Sequence, residues 1–289
     1  MPINRLWANC KLKLSVFALL LFWTSQAFAW DFAGHFTVAT LAYQSLHPGV
    51  KQEADRLVQI LKQAEPVISH FVPASVWLDA QNWNPDFTLM QSWHYVDQAY
   101  PANPGWQSKG ELIEVSQSAL KALCSSRSTD FQKALMLRVI LHTVADLHQP
   151  LHTIEFLQSE FPHGDRGGHD FHLQGQFADL HALWDAAGGQ FPYLRINQWQ
   201  NAQPLALALQ REFSVSSAPK QLTQQQLSDL PEQWAQESYS LGIDAYKGIQ
   251  PNQVPGEAYI KQVQEISRHQ LARAGYRLAE VLNRCLAKQ

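Results

Sequence analysis

The stretch "DFQKALMLRVILHTVADLHQPLH" (residues 130–152) decides the fold class. Its apolar residues recur at three- and four-residue spacing, the period of an α-helix, with Asp130 placed as N-cap and Pro150 as the stop. His142 and Asp146 stand four apart on that helix. At about 40° separation around the axis they project from one face and can grip one cation. His148, six residues after His142 and about 240° round the helix, faces away and reads as structural. His152, just beyond Pro150, can turn back toward the first pair.

Working outward, the same periodicity marks helices over 36–46, 52–64, 110–123 and 257–287. Strand signals are few. "GGHDFHLQG" (167–175) offers a short hairpin, "HPGV" and "FPHGDRGG" are loops by their Gly and Pro content, and 190–224 carries little periodicity. The expectation is all-α: a single mostly helical domain with long loops and that one short β-hairpin.

Near the start, Arg5, Lys11 and Lys13 precede the apolar run "LSVFALLLFW" (14–23), and "TSQAFA" ends in a small-x-small pattern at Ala27–Ala29. This is the layout of a secretory signal cleaved after Ala29, and about ten apolar residues are too few to span a bilayer. The expected division is residues 1–29 as signal peptide and 30–289 as one functional domain, secreted or periplasmic, with no membrane anchor after cleavage. Removing the signal, with three basic and no acidic residues, takes the formal net charge from −3 to −6. A basic surface gripping nucleic acid is therefore excluded as the main source of affinity for phosphates. Of three cysteines, Cys10 leaves with the signal. Cys124 and Cys285 fit equally a disulfide in an oxidising compartment or two buried thiols.

Histidine is the anomaly, with twelve in the chain. "LHALWD" (180–185) repeats the four-residue step, His181 to Asp185. Charged pairs inside apolar helices need a partner or a metal. Imidazole plus carboxylate, with too little cysteine for a thiolate site, suits zinc in a hydrolytic site or another borderline divalent metal.

The blocks "WDFAGH" (30–35), "SVWLDA" (75–80), "SWHYVD" (92–97), "HTVADLHQPLH" (142–152), "GDRGGHD" (164–170) and "LHALWD" occur in the order seen in a known family. The chain resembles the secreted zinc-dependent S-one/P-one nucleases, also called 3′-nucleotidases, from Trp30 to about Asp185 and loosely thereafter. The resemblance implies a helical, phospholipase C/nuclease-like fold and three Zn2+ ions in one cleft. Carried over residue by residue, Asp79, His94, His142 and Asp146 would hold the first ion. His152, His181 and Asp185 would hold the second. The third would take the amine and carbonyl oxygen of Trp30, His35 and a shared oxygen of Asp146, so that signal removal completes the site. Three zinc ions against Asp79, Asp146 and Asp185 leave a local charge of about +3, which lets an acidic protein hold a phosphodiester.

The family hydrolyses single-stranded DNA and RNA to 5′-phosphate products and acts on 3′-nucleotides. By resemblance, Asp97 orients or deprotonates the attacking water, and Tyr95 is a base-stacking platform, which requires an unpaired base. Two positions depart from the family pattern. Asn82 stands where a basic residue is usual, leaving phosphate grip to a group such as Arg166. His169 stands where Asn is common, placing a titratable imidazole at the substrate. No stable protein partner is implied. A zinc-dependent phospholipase C is the nearest rival, but it has a longer gap between Trp and the first His, and Glu four residues after the last His; here Trp30 and His35 are five apart and Asp185 follows His181. A non-catalytic zinc-binding module would close each ion with four protein residues, and the second and third groups draw on three residues each.

Overall fold

The structure is a computed structural model that describes residues 30–81, 85–213 and 223–287. The expected signal peptide, residues 1–29, lies outside the described residues.

Among the described residues ten α-helices follow in chain order: α1 (Phe32–Ser45), α2 (Pro48–Ile60), α3 (Phe71–Ala74), α4 (Trp77–Gln81), α5 (Leu112–Leu123), α6 (Asp130–Asp146), α7 (Leu180–Asp185), α8 (Gln203–Glu212), α9 (Gln224–Ala245) and α10 (Glu257–Cys285). Short 3-10 turns join them, among them Pro85–His94 and Pro150–His152. The centre is made by α1 and α6. Every residue from Ala33 to Ala42 is buried on α1, and every residue from Leu137 to Asp146 on α6. A helix apolar on nearly all sides has to be surrounded: α10 packs along α1, while α2 and α5 flank α6.

The start of α6 differs from the sequence reading. Thr129 is the N-cap and Asp130 the first helical residue, because the Thr129 hydroxyl accepts from Gln132 N–H while the Gln132 amide oxygen accepts from Thr129 N–H. This reciprocal capping box satisfies two otherwise orphaned donors, which a lone aspartate does not. Two helices had no clear sequence signal. α8 buries only Ala206 and Leu209, and α9 carries Pro231 within its span. At Pro231 a helix bond is missing, so the sequence reads as broken where packing against α5 holds it together.

The hairpin expected at 167–175 is a run of turns. Gly167, Gly168 and Gly175 all take positive φ, curling the chain, and the stretch makes an isolated antiparallel bridge between His172 and Asp179. The ladder that does form, β1 (Ala99–Tyr100) with β2 (Glu155–Phe156), is parallel and pairs segments far apart in sequence. It ties the stretch leaving His94 to the stretch leaving His152.

Cys124, at the end of α5, is bonded to Cys285, at the end of α10. The bond closes a sequence separation of 161 residues. By loop-closure entropy such a link is worth at most about 5 kcal/mol. Reduction, or the paired Cys124→Ser and Cys285→Ser change, is expected to lower the urea midpoint by a corresponding amount. An unchanged midpoint would show that the link does not constrain the unfolded chain.

Candidate metal centre

α6 and α7 present their His–Asp pairs as the four-residue step requires. His142 Nε2 lies 3.2 Å from Asp146 Oδ2, and His181 Nε2 lies 3.3 Å from Asp185 Oδ2. The Pro85–His94 turn delivers His94, whose Nδ1 is 3.2 Å from Asp146 Oδ2 and 3.8 Å from Asp79 Oδ1. Asp79 comes from α4 and also faces His142 Nε2 at 3.6 Å. The turn after α6 brings back His152, with its Nε2 3.2 Å from His181 Nε2. His148 turns away as its helical position requires. Its Nδ1–H donates to Val144 O at 2.7 Å and its Nε2 accepts from Arg277 at 2.9 Å, under burial that holds the ring neutral.

Backbone carbonyls aim three of these rings. Ser75 O receives His142 Nδ1–H at 2.7 Å, His94 O receives His152 Nδ1–H at 2.5 Å, and Gly167 O receives His181 Nδ1–H at 2.7 Å. A carbonyl oxygen can only accept, so Nδ1 keeps its hydrogen and Nε2 is the atom turned inward. Burial opposes a charge on His142, but Asp146 and Asp79 push it up to about 9. Asp185 does the same for His181, also to about 9. Burial likewise opposes ionisation of Asp146, yet His142, His94 and His35 hold it well below the usual carboxylate range. For His152 burial outweighs the pull of Asp146 and lowers the ring to about 3.

The unsatisfied atoms test whether a metal fits. Among the described residues, buried polar atoms without a hydrogen-bond partner include both ring nitrogens of His35, both oxygens of Asp79 and of Asp146, and Nε2 of His94. Each such orphan costs about 1–3 kcal/mol. His35 Nε2, Asp79 Oδ1 and both Asp146 oxygens lie within 4 Å of ring nitrogens or carboxylate oxygens of the cluster, where a bound divalent cation would satisfy them. Three groups could each hold an ion, with one ligand atom per residue within 4.8 Å of the others: His35, Asp79 and His142; His94, His142 and Asp146; and His152, His181 and Asp185. Their nitrogen and oxygen donors suit zinc.

α1 contributes the N-terminal edge. His35 stacks on His142 with ring centres 4.0 Å apart, and its Nε2 is 3.4 Å from Asp146 Oδ1. Trp30 is fully buried; its indole N–H donates to Ala145 O at 3.1 Å, beside Asp146. Asp31 N–H donates to Asp185 O at 3.2 Å. Gly34 permits this turn, since a Cβ there would come within 2.6 Å of the Trp30 Cβ. The described chain thus enters between Asp146 and Asp185. Asp79, His35, His142 and Asp146 are wholly buried, while His94, His152, His181 and Asp185 keep 4–6 % exposure, so solvent reaches the cluster on their side.

Of the other candidate residues, Asp97 and His169 face His181. Asp97 is raised to about 7 by burial, which outweighs the pull of Lys109. Tyr95 is half-buried, its backbone and ring packed by Gly110. His169 stacks on His181 at 3.8 Å, and its Nε2 has no partner. Arg166 sits at the surface with its guanidinium 3.5 Å from Asp170. Asn82 lies outside the described residues.

Two residues escaped the sequence reading. Gln149 Nε2 donates to Asp185 Oδ1 at 2.6 Å while its Oε1 accepts from Leu151 N–H, locking one candidate ligand in place. Its position inside "DLHQPLH" was the available signal. Asp31, raised to about 6 by burial and then by Asp185, adds a carboxylate beside the second group.

The chain matches the family described as S1/P1 Nuclease over residues 30–287. It is 24% identical to Endonuclease 3 of Arabidopsis thaliana over 277 residues, covering 89% of each chain. It is 23% identical to Endonuclease 4 of the same plant over 286 residues, covering 91% of each. The chain belongs to the S1/P1 nuclease family.

Proposed function

We propose, on the premise of that membership, an exported zinc-dependent nuclease and 3′-nucleotidase that cuts single-stranded DNA and RNA to 5′-phosphate products. The observation that carries the reading is the convergence of the three His–Asp groups on orphaned, buried donor atoms. Both plant relatives are endonucleases by name, which supports cutting within a strand. The family match begins at Trp30, which supports residues 1–29 as a removable signal and 30–289 as the catalytic domain. Among the described residues no helix is long and apolar enough to cross a membrane.

Asp79, His94, His142 and Asp146 would hold one zinc ion, and His152, His181 and Asp185 a second. The Trp30 amine and carbonyl oxygen, His35 and an Asp146 oxygen would hold the third. Bound zinc supplies Lewis acidity, acidifying water and stabilising charge on oxygen. Asp97, whose charge faces His181, would take or orient the proton of the attacking water. Tyr95 stacks an unpaired base beside it, and Arg166, His169 and Asn82 hold phosphate or base.

The purified chain starting at Trp30, assayed on single-stranded DNA, RNA, 3′-AMP and phosphatidylcholine, is expected to act on the first three, to stop with chelator and to recover with zinc. Release from phosphatidylcholine alone would replace this reading with a phospholipase.

Metal loading should also release protons. Asp146 and Asp79 push His142 up to about 9, and Asp185 does the same for His181, so at neutral pH each holds a proton that a bound cation would displace. Zinc affinity is therefore expected to rise with pH up to about 9, and binding at pH 7 to release about two protons. Calorimetry in two buffers of different ionisation enthalpy reads that number. Loading without proton release would remove both histidines from the ligand set.

A further inference from the structure

Glu155 belongs to none of the three groups, yet it is 2 % exposed. The β1–β2 ladder explains its position. Val96 N–H donates to His152 O at 2.8 Å, Glu155 N–H to Gln98 O at 2.8 Å, and Leu157 N–H to Tyr100 O at 2.7 Å, with Ala99 opposite Glu155. Side chains alternate along a strand, so Asp97 and Ala99 share a face, and the Glu155 side chain opposite Ala99 shares it too. The two carboxyl groups accordingly meet in a hydrogen bond. On its other side the Glu155 carboxyl is gripped by main-chain amides: Arg166 N–H reaches Oε1 at 2.6 Å and Gly167 N–H adds a second bond. Gly164 packs so closely that a Cβ there would overlap the Glu155 carboxylate.

Ionised carboxylates only accept hydrogen bonds, so a bond between two of them holds a proton. We propose that Glu155 is a positioning residue for Asp97: it is anchored by the 164–167 loop, carries the shared proton, and donates to the Asp97 carboxylate so that Asp97 stays ionised and fixed beside the second His–Asp group. This rests on the proposed role of Asp97 as the group that handles the proton of water. Burial raises both groups above the usual carboxylate range, and Lys109 favours the charge on Asp97. Asp165 and His181 also face Asp97, and Arg166 presents only its main-chain N–H to Glu155.

Glutamine reproduces a protonated glutamate at both ends, accepting from the loop amides and donating to Asp97, whereas leucine does neither. Glu155→Leu is expected to lower kcat about 10- to 100-fold, within the range of general-base effects, with KM unchanged. Glu155→Gln should restore most of kcat. Zinc content and the thermal midpoint are measured on both variants, and a variant that loses either is replaced by Glu155→Met and Gly164→Ala, the latter expected to lower kcat by displacing the carboxyl. A Glu155→Leu protein with full zinc and wild-type kcat would overturn the inference, as would a Glu155→Gln protein as slow as Glu155→Leu, which would put the proton on Asp97. If the wild-type protein itself cleaves no nucleic acid, the functional reading fails instead, and the two failures are told apart by that control.

Discussion

Asp146→Asn is expected to lose metal together with activity. One Asp146 oxygen, Oδ1, faces His35 Nε2 at 3.4 Å; the other, Oδ2, faces His94 Nδ1 and His142 Nε2, each at 3.2 Å. Asp79 also groups with His35 and His142, but it stands farther off, 3.6 Å from His142 Nε2. Its removal replaces an anionic oxygen with an amide NH2, which has no free lone pair for a cation and whose hydrogens would point at His35 or His94. The proton on His142 near 9, held there chiefly by Asp146, would also be released, so the metal-free variant should show that imidazole titrating lower by NMR. The activity loss should be about 10³-fold or more, as expected when a metal that supplies much of the transition-state stabilisation is lost. Zinc is counted by mass spectrometry of the intact protein. A variant with its full complement of zinc would show that Asp146 does not serve two ions.

Adding one residue before Trp30 is expected to be almost as damaging. The N-terminal segment has no slack: the Trp30 indole is pinned to Ala145 O, the ring lies edge-on to Phe191 with centres 6.1 Å apart, and Asp31 N–H is fixed on Asp185 O. An extra residue turns the Trp30 nitrogen from an amine, whose lone pair can bind a cation, into an amide, whose lone pair is delocalised. The expected outcome is loss of one zinc with the other two retained, and a fall in turnover of about 10²-fold or more, the scale of losing one metal's charge stabilisation. Full turnover and three zinc ions in the extended protein would remove the terminus from the ligand set. The two outcomes differ in kind: the Asp146 change disturbs two groups, the extension only one.

Much of this architecture was legible because it is local. The His142–Asp146 and His181–Asp185 steps need only helix periodicity, and the inverse position of His148 follows from the same angle. The central helices α1 and α6 announced themselves by apolar content. The illegible parts depend on main chain or on distant packing. Ser75 O, His94 O and Gly167 O aim three imidazoles, and a carbonyl has no letter in a sequence. The Asp97–Glu155 contact comes from a parallel ladder between segments 56 residues apart, which no short-range pattern encodes. α9 gives no plain helical signal because Pro231 lies inside it and tertiary contacts override the break, and 167–175 suggests a hairpin although its glycines take the positive φ of turns.

The bond from His152 Nδ1–H to the carbonyl of His94 has a wider consequence. His94 belongs to the first group and His152 to the second, and Val96 N–H returns the link to His152 O. A cation that immobilises the His152 ring therefore also steadies the loop carrying His94, lowering the entropic cost of the next ion. Occupancy should climb cooperatively with free zinc, giving a sigmoidal uptake curve in place of independent hyperbolas, so that half-filled enzyme is scarce at intermediate metal supply.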